Sequence, residues 1–185
     1  MTVIFSNAQD DDCREITNLW KGLPNVNLVE VTKGSGDDYE ERVDAAMENE
    51  DDTLILVGHG TTNGLLFPDL TKGVYLVHEN NVDLIHAKNV LCLWCYASTF
   101  VETHNIHNTF ATSMFISNVG EAYDNCIYNY TSEQINSNSR QFYTEVNQLL
   151  RDNTPLNEYV MDLGIRMDIL NDVDVFNRQG LFYNE

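Results

Sequence analysis

The chain has 185 residues, 43% of them hydrophobic, enough for one domain spanning 1–185 to bury its own core without disulfide or metal staples. Ten basic residues against 29 acidic ones give a formal net charge of −19. That charge excludes nucleic acid and anionic membrane surfaces as main partners, since both are bound through Lys and Arg, and it suits a cationic peptide or protein instead.

No apolar run approaches the roughly 20 residues that cross a bilayer. The opening MTVIFSNAQDDD turns acidic where an export signal would be apolar, so a cytoplasmic protein with reduced thiols is expected. Val3-Ile4-Phe5 reads as a first strand. The Asp10-Asp11-Asp12 run then suits a helix N-terminus, with Ile16, Leu19, Trp20 and Leu23 forming its apolar face. A second strand is expected over 26–32, and a helix from about Asp37 to Asn49. Residues 53–58 (TLILVG) and 89–94 (NVLCLW) form two further strands, apolar on both faces. Gly73–Val77 reads as a small hairpin or edge strand between them.

A fifth core strand is expected over 112–119, followed by two helices between about 131 and 170, broken near Asn153-Thr154-Pro155. From Asn171 onward the periodicity is weak. Continuous apolar strands separated by helices imply an α/β fold, a three-layer α/β/α sandwich around a mostly parallel sheet.

Open parallel sheets bind ligands beyond the C-terminal ends of their strands. The third strand ends in Gly58-His59-Gly60 and the fourth in Trp94-Cys95-Tyr96. If those strands are neighbours, His59 and Cys95 share one edge of the sheet. A histidine beside a thiol can stabilise the thiolate and later protonate a leaving group. The glycines flanking His59 allow a substrate backbone to approach closely.

A hydrophobic strand ending in His-Gly (LILVGHG, 54–60), followed by a hydrophobic strand ending in Cys (NVLCLWCYAS, 89–98), resembles the caspase-like cysteine peptidases. The resemblance implies a caspase-like sheet and a cysteine endopeptidase with His59 as catalytic histidine and Cys95 as nucleophile. The backbone N–H groups of Gly60 and Cys95 would form its oxyanion hole. The chain departs from the pattern around the cysteine, with Trp94 before it and Tyr96-Ala97-Ser98 after it. The Gln-Ala-Cys-x-Gly signature of caspases is absent, as is the paired-acid signature of metacaspases. Members that cleave after Lys or Arg use acidic pocket groups, a role open to Glu121 or Asp124; a solvated loop is the plainer use of both. The chemistry needs no cofactor.

Other readings compete for the same residues. A caspase-like module that binds protein without cleaving it would use Trp94 and Tyr96 to fill the cleft. A flavodoxin-like domain would make the His/Cys placement a coincidence. Cys92 and Cys95 spell C-x-x-C, but on a strand they point to opposite faces about 10 Å apart, beyond disulfide reach or shared metal coordination. His104 and His107 lack zinc-finger spacing. His78 and His86 carry no motif, and Cys13 and Cys126 read as structural or incidental. No metal site is assigned.

Overall fold

The structure, a computed structural model, describes residues 1–185. Six strands build the main sheet: β1 (Thr2–Asn7), β2 (Asn27–Thr32), β3 (Thr53–Val57), β7 (Asn89–Leu93), β8 (Thr109–Thr112) and β9 (Leu181–Asn184). Their order is β2-β1-β3-β7-β8-β9, all parallel except β9, which runs antiparallel against β8. Between β3 and β7 the chain makes a separate three-stranded antiparallel sheet from β4 (Gly60–Thr61), β5 (Gly64–Leu66) and β6 (Tyr75–Val77). The hairpin expected at 73–77 is the last strand of that sheet.

Strand alternation divides the core into two. Val3, Phe5, Ile55, Val57, Leu91 and Leu93 point to one face, where α1 (Asp11–Ile16), α5 (Ser132–Arg151) and α6 (Tyr159–Arg166) cover them. Ile4, Leu54, Leu56, Val90 and Cys92 point to the other, beneath α2 (Tyr39–Met47), α3 (Ala97–His104) and the small sheet. The α/β sandwich with a mostly parallel sheet is therefore as expected. Within it, α5 starts with a full capping box, Thr131 and Gln134 satisfying each other's backbone N–H groups. Pro155 then caps the short 3-10 turn that leads into α6.

One expectation fails. The fifth core strand lies at Thr109–Thr112, not 112–119. At Thr112 the hydroxyl donates to the Trp94 carbonyl and the chain leaves the sheet, sending Phe115 into the first core cluster. Residues 119–124 then form a further helix, α4 (Val119–Asp124), which places Glu121 and Asp124 on a helix rather than a loop.

The C-terminal region, where the sequence shows only weak periodicity, holds α7 (Asp172–Gln179) and β9. Its weak periodicity has a cause: the buried face of α7 carries Asp174 and Asn177 beside Val173. Asn177 accepts the Ile116 N–H at 2.7 Å and donates to the Ile116 carbonyl at 2.9 Å and to Asn138 at 2.7 Å. Asn138 in turn donates to Asp174. The Ser113 N–H donates to the Gly180 carbonyl at 2.7 Å, so 113–116 is stitched to the C-terminal segment.

Removing a hub of buried hydrogen bonds strands its partners without water. Asn177→Ala is expected to destabilise the fold by about 3 kcal/mol, read from the midpoint of urea unfolding.

Candidate active site

Val57 on β3 and Leu93 on β7 are directly paired. His59 and Cys95 stand two residues beyond that pair on neighbouring parallel strands, whose spacing is about 4.8 Å. Two residues preserve side-chain parity, so both belong to the face covered by α1 and α5. Both line one cleft together with Asp12, Ser117, Phe115 and Tyr143. The cleft is small, ≈ 30 Å³, room for roughly two water molecules.

The end of β3 is fixed by a close approach to β1. Gly58 has φ +147°, and a methyl group there would lie 2.6 Å from the Ser6 carbonyl oxygen and 2.7 Å from Ser6 Cβ. Only glycine fits this turn, and it delivers His59 to the cleft. Gly60 is just as confined, because a Cβ would lie 2.0 Å from the Trp94 ring. Trp94 itself is buried against Phe100, and its ring N–H donates to the Thr61 carbonyl. It therefore braces the small sheet while also contributing to the lining of the cleft that holds His59 and Cys95.

The turn after β7 carries backbone strain. Tyr96 adopts left-handed φ +69° at the start of α3, a conformation that costs a non-glycine residue about 1 kcal/mol or more, and its ring is exposed. The turn leaves the Cys95 N–H without a hydrogen bond inside the chain. Gly60 stands opposite Leu65, next to a bond from the Leu66 N–H to the His59 carbonyl. That register makes Gly60–Leu65 a non-bonded pair, with the Gly60 N–H turned away from β5.

A residue that the sequence places only at a helix N-terminus completes the row. Asp10, the N-cap of α1, accepts the Cys13 N–H with one oxygen and meets His59 Nε2 at 2.8 Å with the other. Partial burial acts against its ionisation, yet the Cys13 N–H and His59 together hold the carboxyl below its usual range. The order β1-β3-β7 lines up Asp10, His59 and Cys95 at successive strand ends. The signal for Asp10 was present, an acidic helix cap directly after the strand beside β3, but in one dimension it reads as capping alone.

Cys95 sits where its thiolate form is disfavoured. Burial, with the charges of Glu121 and Asp12, pushes its thiol up to about 12, and the S–H donates to the Phe115 carbonyl at 3.4 Å. Glu121 stands close enough to act on both Cys95 and His59. Burial raises its pKa, while the Ser117 N–H and hydroxyl hold the carboxylate at 2.8 and 2.9 Å. Asn118 donates to Asp12 at 2.8 Å. Asp124 is not brought in: it sits exposed at the C-terminal end of α4 and does not line the cleft.

Cys92 is fully buried on the opposite face from Cys95, and all four cysteines are free thiols. His104 stacks on Phe100, and His107 bonds to Asn105 and to the Glu185 carbonyl, far in role from either cysteine. The one His/Cys/carboxylate group with donor atoms close enough for a shared metal ion is Asp10, Cys13 and His59. A larger polar groove of ≈ 740 Å³ borders the small sheet, with Tyr75, His78 and His104 in its wall, and holds neither His59 nor Cys95.

Gly58→Ala is expected to lower stability by about 3 kcal/mol in thermal unfolding and to abolish the His59–Asp10 bond, because the obstacle is backbone. A second expectation concerns alkaline pH. Thiols that ionise near 9.0 when free are pushed up to about 12 at Cys13 and Cys95, so the folded chain keeps protons that the unfolded chain sheds. Stability is then whole below about pH 9 and declines as pH rises toward 12. Urea unfolding followed through that range shows the decline, and Cys95→Ala makes it shallower.

Compared with known proteins, the chain matches no protein-family model, no curated protein and no solved structure.

Proposed function

We propose that this chain is a cysteine endopeptidase of caspase-like type that cleaves cationic peptides or proteins in the cytoplasm without a cofactor. The observation that carries the reading is the parity-matched placement of His59 and Cys95 in one cleft, two residues past the paired Val57 and Leu93. In this mechanism Cys95 gives its proton to His59 and attacks the scissile carbonyl, forming a carbon–sulfur bond. The N–H groups of Gly60 and Cys95 receive the developing oxyanion. His59 passes the proton to the leaving amine as the carbon–nitrogen bond breaks, and water hydrolyses the thioester to restore the thiol. Asp10 is a positioning residue: its bond to Nε2 fixes the ring and leaves Nδ1 as the other working nitrogen.

The carboxylates of Asp12 and Glu121 favour a Lys or Arg side chain beside the cleavage point. A cation there also offsets the charges that keep the Cys95 thiol protonated, so the preferred substrate helps to activate its own nucleophile. Before substrate binds, the site is quiet.

A diverse peptide library separates the readings. The expected cuts follow basic residues and vanish in Cys95→Ala and His59→Ala. Asp10→Asn lowers kcat by roughly 10²- to 10⁴-fold while keeping the helix cap. Glu121→Gln weakens the basic preference. Cuts that survive Cys95→Ala, or that ignore charge, would sink the corresponding half of the proposal. A second reading, a non-cleaving protein-binding module, draws on the same quiet thiol and the narrow cleft. It predicts no cuts, with a basic peptide bound equally by the wild-type chain and Cys95→Ala.

A further inference from the structure

We propose that Asp10, Cys13 and His59 form a binding site for one thiophilic divalent cation of the zinc class. Their donor atoms, a carboxylate oxygen, a thiol sulfur and a ring nitrogen, all lie within 4.8 Å of one another. Ligands of a tetrahedral ion with bonds of about 2.0–2.3 Å stand about 3.3–3.8 Å apart, so adjustments of an ångström or less bring the three onto one ion. The mixed oxygen, nitrogen and sulfur set suits zinc and is poorly matched to calcium or magnesium, which take oxygen ligands.

The donors are held in the way metal ligands are held. Asp10 is oriented through its second oxygen by the Cys13 N–H at 3.0 Å, leaving the first free to turn from His59 to an ion. His59 is fixed by the Gly58 turn against Ser6. Cys13 has no part in the proposed cleavage, and its thiol makes a long 3.9 Å contact with the Ser6 carbonyl and lies against the Asp10 carboxyl. No Lys or Arg side chain pairs with any of the three, while Asp12 and Glu121 add negative charge nearby. The Asp10 side chain is 39% exposed and that of His59 20%, which gives an ion an entry path and a fourth position for water. On binding, the Cys13 thiol proton passes to solvent as the metal–sulfur bond forms.

The site stands whether or not the chain cleaves anything. On the peptidase reading, and resting on it, the ion also withdraws His59 and Asp10 from Cys95 and so arrests cleavage.

Calorimetric titration of the whole chain with zinc chloride tests the site without measuring cleavage. One ion per chain is expected. Cys13→Ser and Asp10→Asn should each weaken binding by about tenfold or more, whereas Cys126→Ser and Cys95→Ser leave it unchanged. Asparagine keeps the α1 cap, so the Asp10 variant remains informative if Cys13→Ser folds poorly. With cobalt in place of zinc, a thiolate-to-metal absorption band should appear in the wild-type chain and be missing from Cys13→Ser. Absence of zinc binding, or binding indifferent to Cys13 and Asp10, overturns the proposal. So does loss of binding in Cys95→Ser, which would put the ion on the His59–Cys95 pair instead.

Discussion

The parallel pairing of β3 with β7 is the constraint on which the rest of the site depends. Once Val57 stands beside Leu93, strand alternation leaves no freedom about which face the next side chains take. His59 and Cys95 go to the α1 side; Trp94, between them in parity, goes to the other and props the small sheet. A slip of one residue in either strand would send one of the pair into the opposite core. Four buried hydrophobic side chains on each side of the sheet at this point, Ile55, Val57, Leu91 and Leu93 against Leu54, Leu56, Val90 and Cys92, make such a slip far too costly to populate.

The electrostatics of the cleft run against the usual expectation for a cysteine nucleophile. Reactive thiols are commonly found beside cations, yet here the charged neighbours are Asp12 and Glu121, and the histidine of the cleft is bonded to Asp10. A negative, half-dry pocket stores little of its own reactivity. Its negative charge favours a cation, and both proposals, a basic peptide side chain and a metal ion, draw on this single property.

How much was legible in the sequence varied with the physics of each element. The buried parallel strands announce themselves because both faces are apolar, which is why TLILV and NVLCL were read almost to the residue. Residues 112–119 look like a strand for the same reason, since Met114, Phe115 and Ile116 are apolar, but Phe115 and Ile116 are buried by leaving the sheet. The α7 helix was invisible because its buried face is polar, and polar burial leaves no periodic signature. Within the site, His59 and Cys95 are legible from strand ends, and Glu121 stands behind the cleft, bonded to its wall residue Ser117. Asp10 and Cys13 were passed over because their meeting with His59 spans 49 and 46 positions of sequence, a separation only the sheet order closes.

The stitching of residues 113–116 to Asn177 and Gly180 has a consequence for the birth of the protein. The Phe115 carbonyl that faces the Cys95 thiol is held in place by segments made more than sixty residues later. While the chain is being synthesised, β1, β3 and β7 can pair and bring His59 and Cys95 together, but the wall of the cleft stays loose until residues 177–184 have left the ribosome. A nascent chain therefore carries an unfinished cleft, and assembly of β9 serves as a built-in delay before that wall is set.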